Sequence, residues 1–199
     1  MEGIFDIRVV FTVIASLISL GVFINYARTV FKKETKPHLY TWLIWFVTQA
    51  VAVVGMWAGG GGLGAIALTV GTICVFMVML LSLRYGTKNI TKSDTIILVL
   101  ALAAVFVWVQ LDNPLLAVIM VTLIDLAGYV PSWRKSMREP WSENLYSWSI
   151  SPLAYVFAIA ALAEYNLLTL MYPISIVVAN YILVAICLMY RPKVPKPTT

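Results

Sequence analysis

The sequence predicts an all-α membrane protein of seven transmembrane helices. They form two parallel three-helix repeats joined by a linker helix (3+1+3), with the N-terminus outside and the C-terminus cytoplasmic. Three observations predict this. The 199 residues are 61% hydrophobic and only 12% charged, with a mean hydropathy of +0.91, whereas a soluble domain carries about a quarter charged residues. All but Arg8 of the 14 Lys and Arg residues fall in every second gap between apolar stretches, or in the C-terminal tail. A shift of 106 residues, which carries Arg28 onto Arg134, brings the two halves of the chain into register.

The apolar spans are read at residues 9–26, 39–57, 63–83, 95–111, 114–130, 146–162 and 167–189. A bilayer-crossing helix needs about 20 mainly apolar residues, with about 17 as a lower limit. Backbone groups in lipid must be bonded within their own segment, which makes each span a helix. The first is a span rather than a cleavable signal, because Glu2 and Asp6 stand where a signal peptide has basic residues. The gap behind it holds Arg28, Lys32, Lys33 and Lys36. The second span opens Leu39-Tyr40-Thr41-Trp42, and Ala58-Gly59-Gly60-Gly61-Gly62 joins it to the third.

Arg84, Lys88 and Lys92 follow the third span. The split between spans four and five rests on Asp112-Asn113-Pro114, with Pro114 at the first helical position. Arg134, Lys135 and Arg138 fill the next gap, residues 163–166 link spans six and seven, and Arg191, Lys193 and Lys196 form the tail. Cytoplasmic loops retain Lys and Arg, so the basic gaps lie inside and the three short links outside. The organisation is a first repeat at 1–90, a linker at 91–113, a second repeat at 114–192 and a basic tail at 193–199.

Several functions are excluded or disfavoured. Cys74 and Cys187 lie inside apolar spans and read as small hydrophobes. His38 is the single histidine, so no histidine metal cluster exists and no cofactor is expected. The basic residues set topology and meet anionic headgroups of the bilayer, so nucleic acid is not an expected partner. No Lys-Ser or Lys-Thr follows the glycine run, which removes a phosphate loop. The last span has no Lys for a retinal Schiff base. An enzyme is not expected, because one intramembrane Asp supplies no acid–base or nucleophile–base set.

Under the shift, Leu39 meets Leu145, Tyr40 meets Tyr146, Trp42 meets Trp148, Ile44 meets Ile150, and Thr41 meets Ser147. Spans one to three thus match five to seven. Three spans plus one linker make both repeats enter the membrane in the same direction. With the N-terminus out and a basic loop before an aromatic start to each second helix, the chain resembles the SWEET and PQ-loop transporters. The Pro-Gln dipeptide of PQ-loop proteins is absent from both repeats.

The resemblance implies alternating access and a proline in the first two helices of each repeat. Pro131 and Pro152 take those places in repeat two and are the expected gating residues, whereas Asn25 and Phe46 stand there in repeat one. It also implies a solute-facing Asn on each third helix. Asn180 takes that role, and Cys74 is its counterpart.

Among candidate site residues Asp125 stands first. A charge at the centre of a spanning helix is unfavourable by about 2.5–3.5 kcal/mol and marks a function by default. No basic residue lies at its depth, so reversible protonation and proton coupling are expected. Thr122, Asp125 and Tyr129 share a helical face, and Ser16 and Ser19 hold the equivalent places on span one. Trp45 and Gln49 share a face of span two, and Tyr155 is the counterpart of Gln49 on span six. Trp42, Trp148, Tyr40 and Tyr146 are expected in an interfacial aromatic belt. Asp125, Asn180, Gln49, Tyr155, Trp45, Thr122 and Ser19 are the expected solute contacts.

The expected activity is transport of a small polar solute, cationic or neutral, across the plasma membrane. The alternative is a receptor of the same fold that binds a ligand or peptide without moving it. Homo-oligomerisation is left open by the sequence.

Overall fold

The computed structural model describes residues 6–33, 37, 39–86, 92–111, 113–138, 140–141 and 145–195; of these, the side chains at 93, 94, 107–109, 111, 130–132, 134, 135 and 147 fall outside the description. Among the described residues seven α-helices follow one another: α1 (Ile7–Phe31), α2 (Leu39–Ala58), α3 (Leu63–Tyr85), α4 (Lys92–Leu111), α5 (Pro114–Arg138), α6 (Leu145–Ala160) and α7 (Leu167–Tyr190). Each matches one apolar span.

The helices start at local signals. Asp6 caps α1 by accepting a hydrogen bond from Arg8 N at 3.0 Å. Asn113 Oδ1 accepts from Leu116 N at 3.0 Å where Pro114 opens α5. Asn166 and Thr169 form a reciprocal capping box at the start of α7. Gly62 precedes α3 with φ of 58°, a left-handed conformation that glycine adopts without penalty.

Both α1 and α5 run past their apolar windows, because a helix continues into the interfacial region until something stops it. The opposite happens in α6, which ends at Ala160, two residues before the expected limit. There the N–H of Ala161 is shared between Phe157 O and Ala158 O as the chain turns into the link.

Among the described residues four helices, α1, α2, α3 and α7, are long and apolar enough to cross a membrane. Shorter apolar stretches occupy Thr95–Phe106 in α4, Pro114–Tyr129 in α5 and Trp148–Ala160 in α6. The chain is a membrane protein by length and composition of these helices. On α1, exposed Val9, Val13, Leu17, Leu20 and Ile24 recur at helical spacing. On α4, Ile96, Val99, Leu100, Leu102 and Phe106 are exposed. Water would not tolerate such stripes, and a lipid solvent suits them.

The packing has one simple rule. In the first half, α3 packs against both α1 and α2; in the second, α7 packs against both α5 and α6. Across the halves α1 packs on α6 and α2 on α5, while α3 meets α6 and α2 meets α7. Exchanging α1 with α5, α2 with α6 and α3 with α7 leaves this pattern unchanged. Helix bounds follow the same shift: Leu39 and Leu145 open α2 and α6, and α1 and α3 map onto α5 and α7 to within two residues. Only α4, lying on α2 and α5, has no counterpart.

The core is displaced toward one end. Val51, Met56, Leu68, Val118, Val121, Leu162, Tyr172 and Ile176 form it, drawn from the second half of α2, the first halves of α3, α5 and α7, and the link after α6. Beyond this core the α2–α3 and α6–α7 links close on each other. Asn166 Nδ2 donates to Gly59 O at 2.7 Å, and Ala163 N donates to Gly61 O at 3.2 Å. A Cβ on Gly59 would stand 2.9 Å from Asn166 Oδ1, so glycine permits this approach.

Candidate functional site

The other end of the bundle is hollow. A cavity of about 530 Å³ lies between the two halves, lined by six helices and by buried Pro37. It occupies the ends of the helices nearest the α1–α2 and α5–α6 connections. Its floor is the core just described, and Tyr172 belongs to both.

Six pairs of repeat-related positions line it. Ser19 and Asp125 both line the cavity, as do Phe23 and Tyr129, Trp42 and Trp148, Trp45 and Ser151, Gln49 and Tyr155, and Cys74 and Asn180. Each pair is separated by the same 106 residues. A common helix arrangement has therefore turned equivalent faces toward one space.

Asp125 lies at the floor, 4% exposed. Tyr172 of α7 donates its hydroxyl to Asp125 Oδ2 at 2.5 Å. Buried Thr48 of α2 faces the same carboxyl. The second oxygen, Oδ1, is buried without a hydrogen-bond partner among the described residues. Tyr129 and Tyr155 line the cavity with the carboxyl. One turn along α5, Tyr129 accepts a hydrogen bond from Asn180 Nδ2 at 2.8 Å; the same amide donates to Ile176 O at 2.7 Å. Gln49 Oε1 accepts from Thr72 Oγ1 at 3.4 Å, which ties α2 to α3.

Aromatic rings make up much of the remaining wall. Tyr26 packs on Trp42 with centroids 5.1 Å apart, Trp42 meets Trp45 edge-on at 5.2 Å, and Trp148 meets Tyr129 edge-on at 6.2 Å. Among the described residues, Asp125 is the one charged group in the lining.

Six of the expected solute contacts, Asp125, Asn180, Gln49, Tyr155, Trp45 and Ser19, thus share one cavity. Thr122 does not. It points into the core one turn before Asp125, 4% exposed, and its Oγ1 has no partner among the described residues. Its i, i+3 relation to Asp125 is correct, but the cavity ends between them. Ser16 bonds Thr12 O of its own helix at 2.7 Å and is absent from the lining.

Pro152 is fully buried inside α6, beside cavity-lining Ser151, where it removes a helix hydrogen bond. Pro131 lies within α5, and its side chain falls outside the description. Trp42 and Trp148 line the cavity, whereas Tyr146 is 75% exposed.

Tyr172 is the site residue that the sequence does not single out. Its signal is a hydroxyl in the apolar run Leu170-Met171-Tyr172-Pro173, since a buried tyrosine hydroxyl needs a partner. The signal for Trp42 and Trp148 is their identity at equivalent places in both halves.

No family model, no curated protein and no solved structure matches the chain.

Proposed function

We propose that the protein is a seven-span transporter of a small polar solute, working by alternating access between two parallel three-helix repeats of the SWEET and PQ-loop kind. The N-terminus is outside, the C-terminus is cytoplasmic, and the plasma membrane is the proposed location. One observation carries this reading: a cavity between two equivalent helix triads, lined by repeat-related residue pairs, with one end sealed and the other hollow. A solute site between repeats, closed on one side at a time, is what rocking of two rigid units requires. A cavity of this volume is within the range of small-molecule sites.

In this reading the packed core and the joined links are the outer gate, closed. The hollow faces the basic loops, so the structure is open inward. Asp125 carries the exchangeable charge, and Gln49, Tyr155, Asn180 and Ser19 supply hydrogen bonds to solute. Pro152 gives α6 a place to bend beside the site.

Purified protein in liposomes, challenged with sugars, amino acids and amines, tests the proposal. Saturable uptake by wild type that Asp125→Asn abolishes is expected. Uptake that responds to an imposed proton gradient would make Asp125 a proton carrier. Tight binding without any uptake would overturn transport and favour a receptor.

A further inference from the structure

The cavity carries one acidic group and no basic one. Among the described residues its lining contains Asp125 and no Lys, Arg or His. A buried charge without a countercharge is strongly unfavourable, and the described lining offers Asp125 none. Tyr172 occupies Oδ2, and Oδ1 is left as an acceptor with no partner among the described residues.

The walls decide what kind of cation fits. A metal ion wants six or more oxygen ligands, or a cluster of His, Cys and carboxylates. No such cluster exists among the described residues. Rings are present instead. Tyr129, Tyr155 and Tyr172 line the same cavity as the carboxyl, Tyr172 bonded to it, with Trp148 against Tyr129. Trp42 and Trp45 stand edge to face in the same cavity. Ring faces attract an ammonium group within about 6 Å, and they also accept the alkyl carbons attached to it. A proton would neutralise Asp125 and make no use of the rings. An amino acid would bring a carboxylate, for which the described lining holds no cation.

We infer that the cavity binds an organic ammonium ion, primary to quaternary and lacking a carboxylate, with its cationic end beside the Asp125 carboxyl and its alkyl groups against the tyrosine and tryptophan rings. The inference rests on the cavity being the solute site and names the class of solute.

The test is calorimetric titration of full-length wild-type protein in nanodiscs with choline, tetraethylammonium and tyramine. The neutral carbon isostere of choline and glucose serve as controls. Choline is expected to bind at least about tenfold more tightly than its isostere, a difference the charge alone supplies. In Asp125→Asn most of that difference should disappear, and Trp148→Leu should weaken choline more than its isostere.

Failure of all three amines to bind wild type overturns the inference, and so does equal binding of choline and its isostere. Uptake of the same probes into liposomes separates this result from the transport reading. Amine binding without uptake keeps the solute class and removes transport. Uptake of glucose with no amine binding keeps transport and removes the class.

Discussion

The two halves of the molecule share a scaffold and differ in chemistry. In each, the third helix stands between the first and the second, and six repeat-related pairs of residues line the cavity. Yet the second half has Asp125, Tyr129, Tyr155 and Asn180 where the first has Ser19, Phe23, Gln49 and Cys74. Helix packing depends on volume and on the periodicity of apolar faces, and both survive these exchanges. Binding depends on charge and hydrogen-bond donors, which do not. The fold can stay two-fold while the site becomes one-sided.

The largest effect should separate Asp125 from Ser19. Asp125→Asn is expected to weaken binding of a cationic solute by about 3 kcal/mol, or about a hundredfold. Ser19→Ala should change it by less than about 1 kcal/mol. Titration of both variants checks this, and equal losses would mean the halves contribute alike.

Packing at the sealed end gives the next contrast. A Cβ on Gly55 would overlap Val118 Cγ2, whereas its counterpart, Ala161, is buried with its methyl group in place. Gly55→Leu should therefore destabilise the protein by about 2–3 kcal/mol. Ala161→Gly should lower stability by about 1 kcal/mol. Thermal unfolding in detergent reads both, and a Gly55→Leu protein as stable as wild type would break the close approach of α2 to α5.

Tyr172 and Ile66 are also counterparts, one fully buried on Asp125 and the other 40% exposed. Tyr172→Phe removes a donor from the carboxyl and should cost about 2 kcal/mol of stability. Ile66→Val, toward lipid, should stay within about 0.5 kcal/mol. A Tyr172→Phe protein of unchanged stability would show that the carboxyl does not depend on this hydroxyl.

The smallest contrast is between Thr122 and Ser16. Thr122→Val removes a buried hydroxyl with no partner among the described residues and should leave stability unchanged or raise it by up to about 1 kcal/mol. Ser16→Ala removes a bond to its own helix and should change it by less than about 0.5 kcal/mol. A clear loss of stability in Thr122→Val would reveal a partner for that hydroxyl.

Much of the architecture is legible in the amino-acid sequence. Each of the seven helices among the described residues coincides with an apolar run, and four of them reach the length and apolarity that a lipid-crossing helix needs. The 106-residue register, read from residues such as Trp42 and Trp148, also runs through the helix bounds. Asp125 is conspicuous because a lone carboxyl in an apolar run has few benign explanations.

Other features depend on how the helices pack. Thr122 and Asp125 share a face, and only the depth at which α2 and α7 close on α5 puts one in the core and the other in the cavity. Trp42 and Trp148 have the sequence of belt residues, and helix rotation turns them inward. Tyr172 finds Asp125 from another helix, 47 residues away. Periodicity within a helix fixes which residues share a face, and the sequence determined that much. Which face meets which neighbour, and where the packed core gives way to empty space, is a property of the assembled bundle, and the tertiary structure alone decided it.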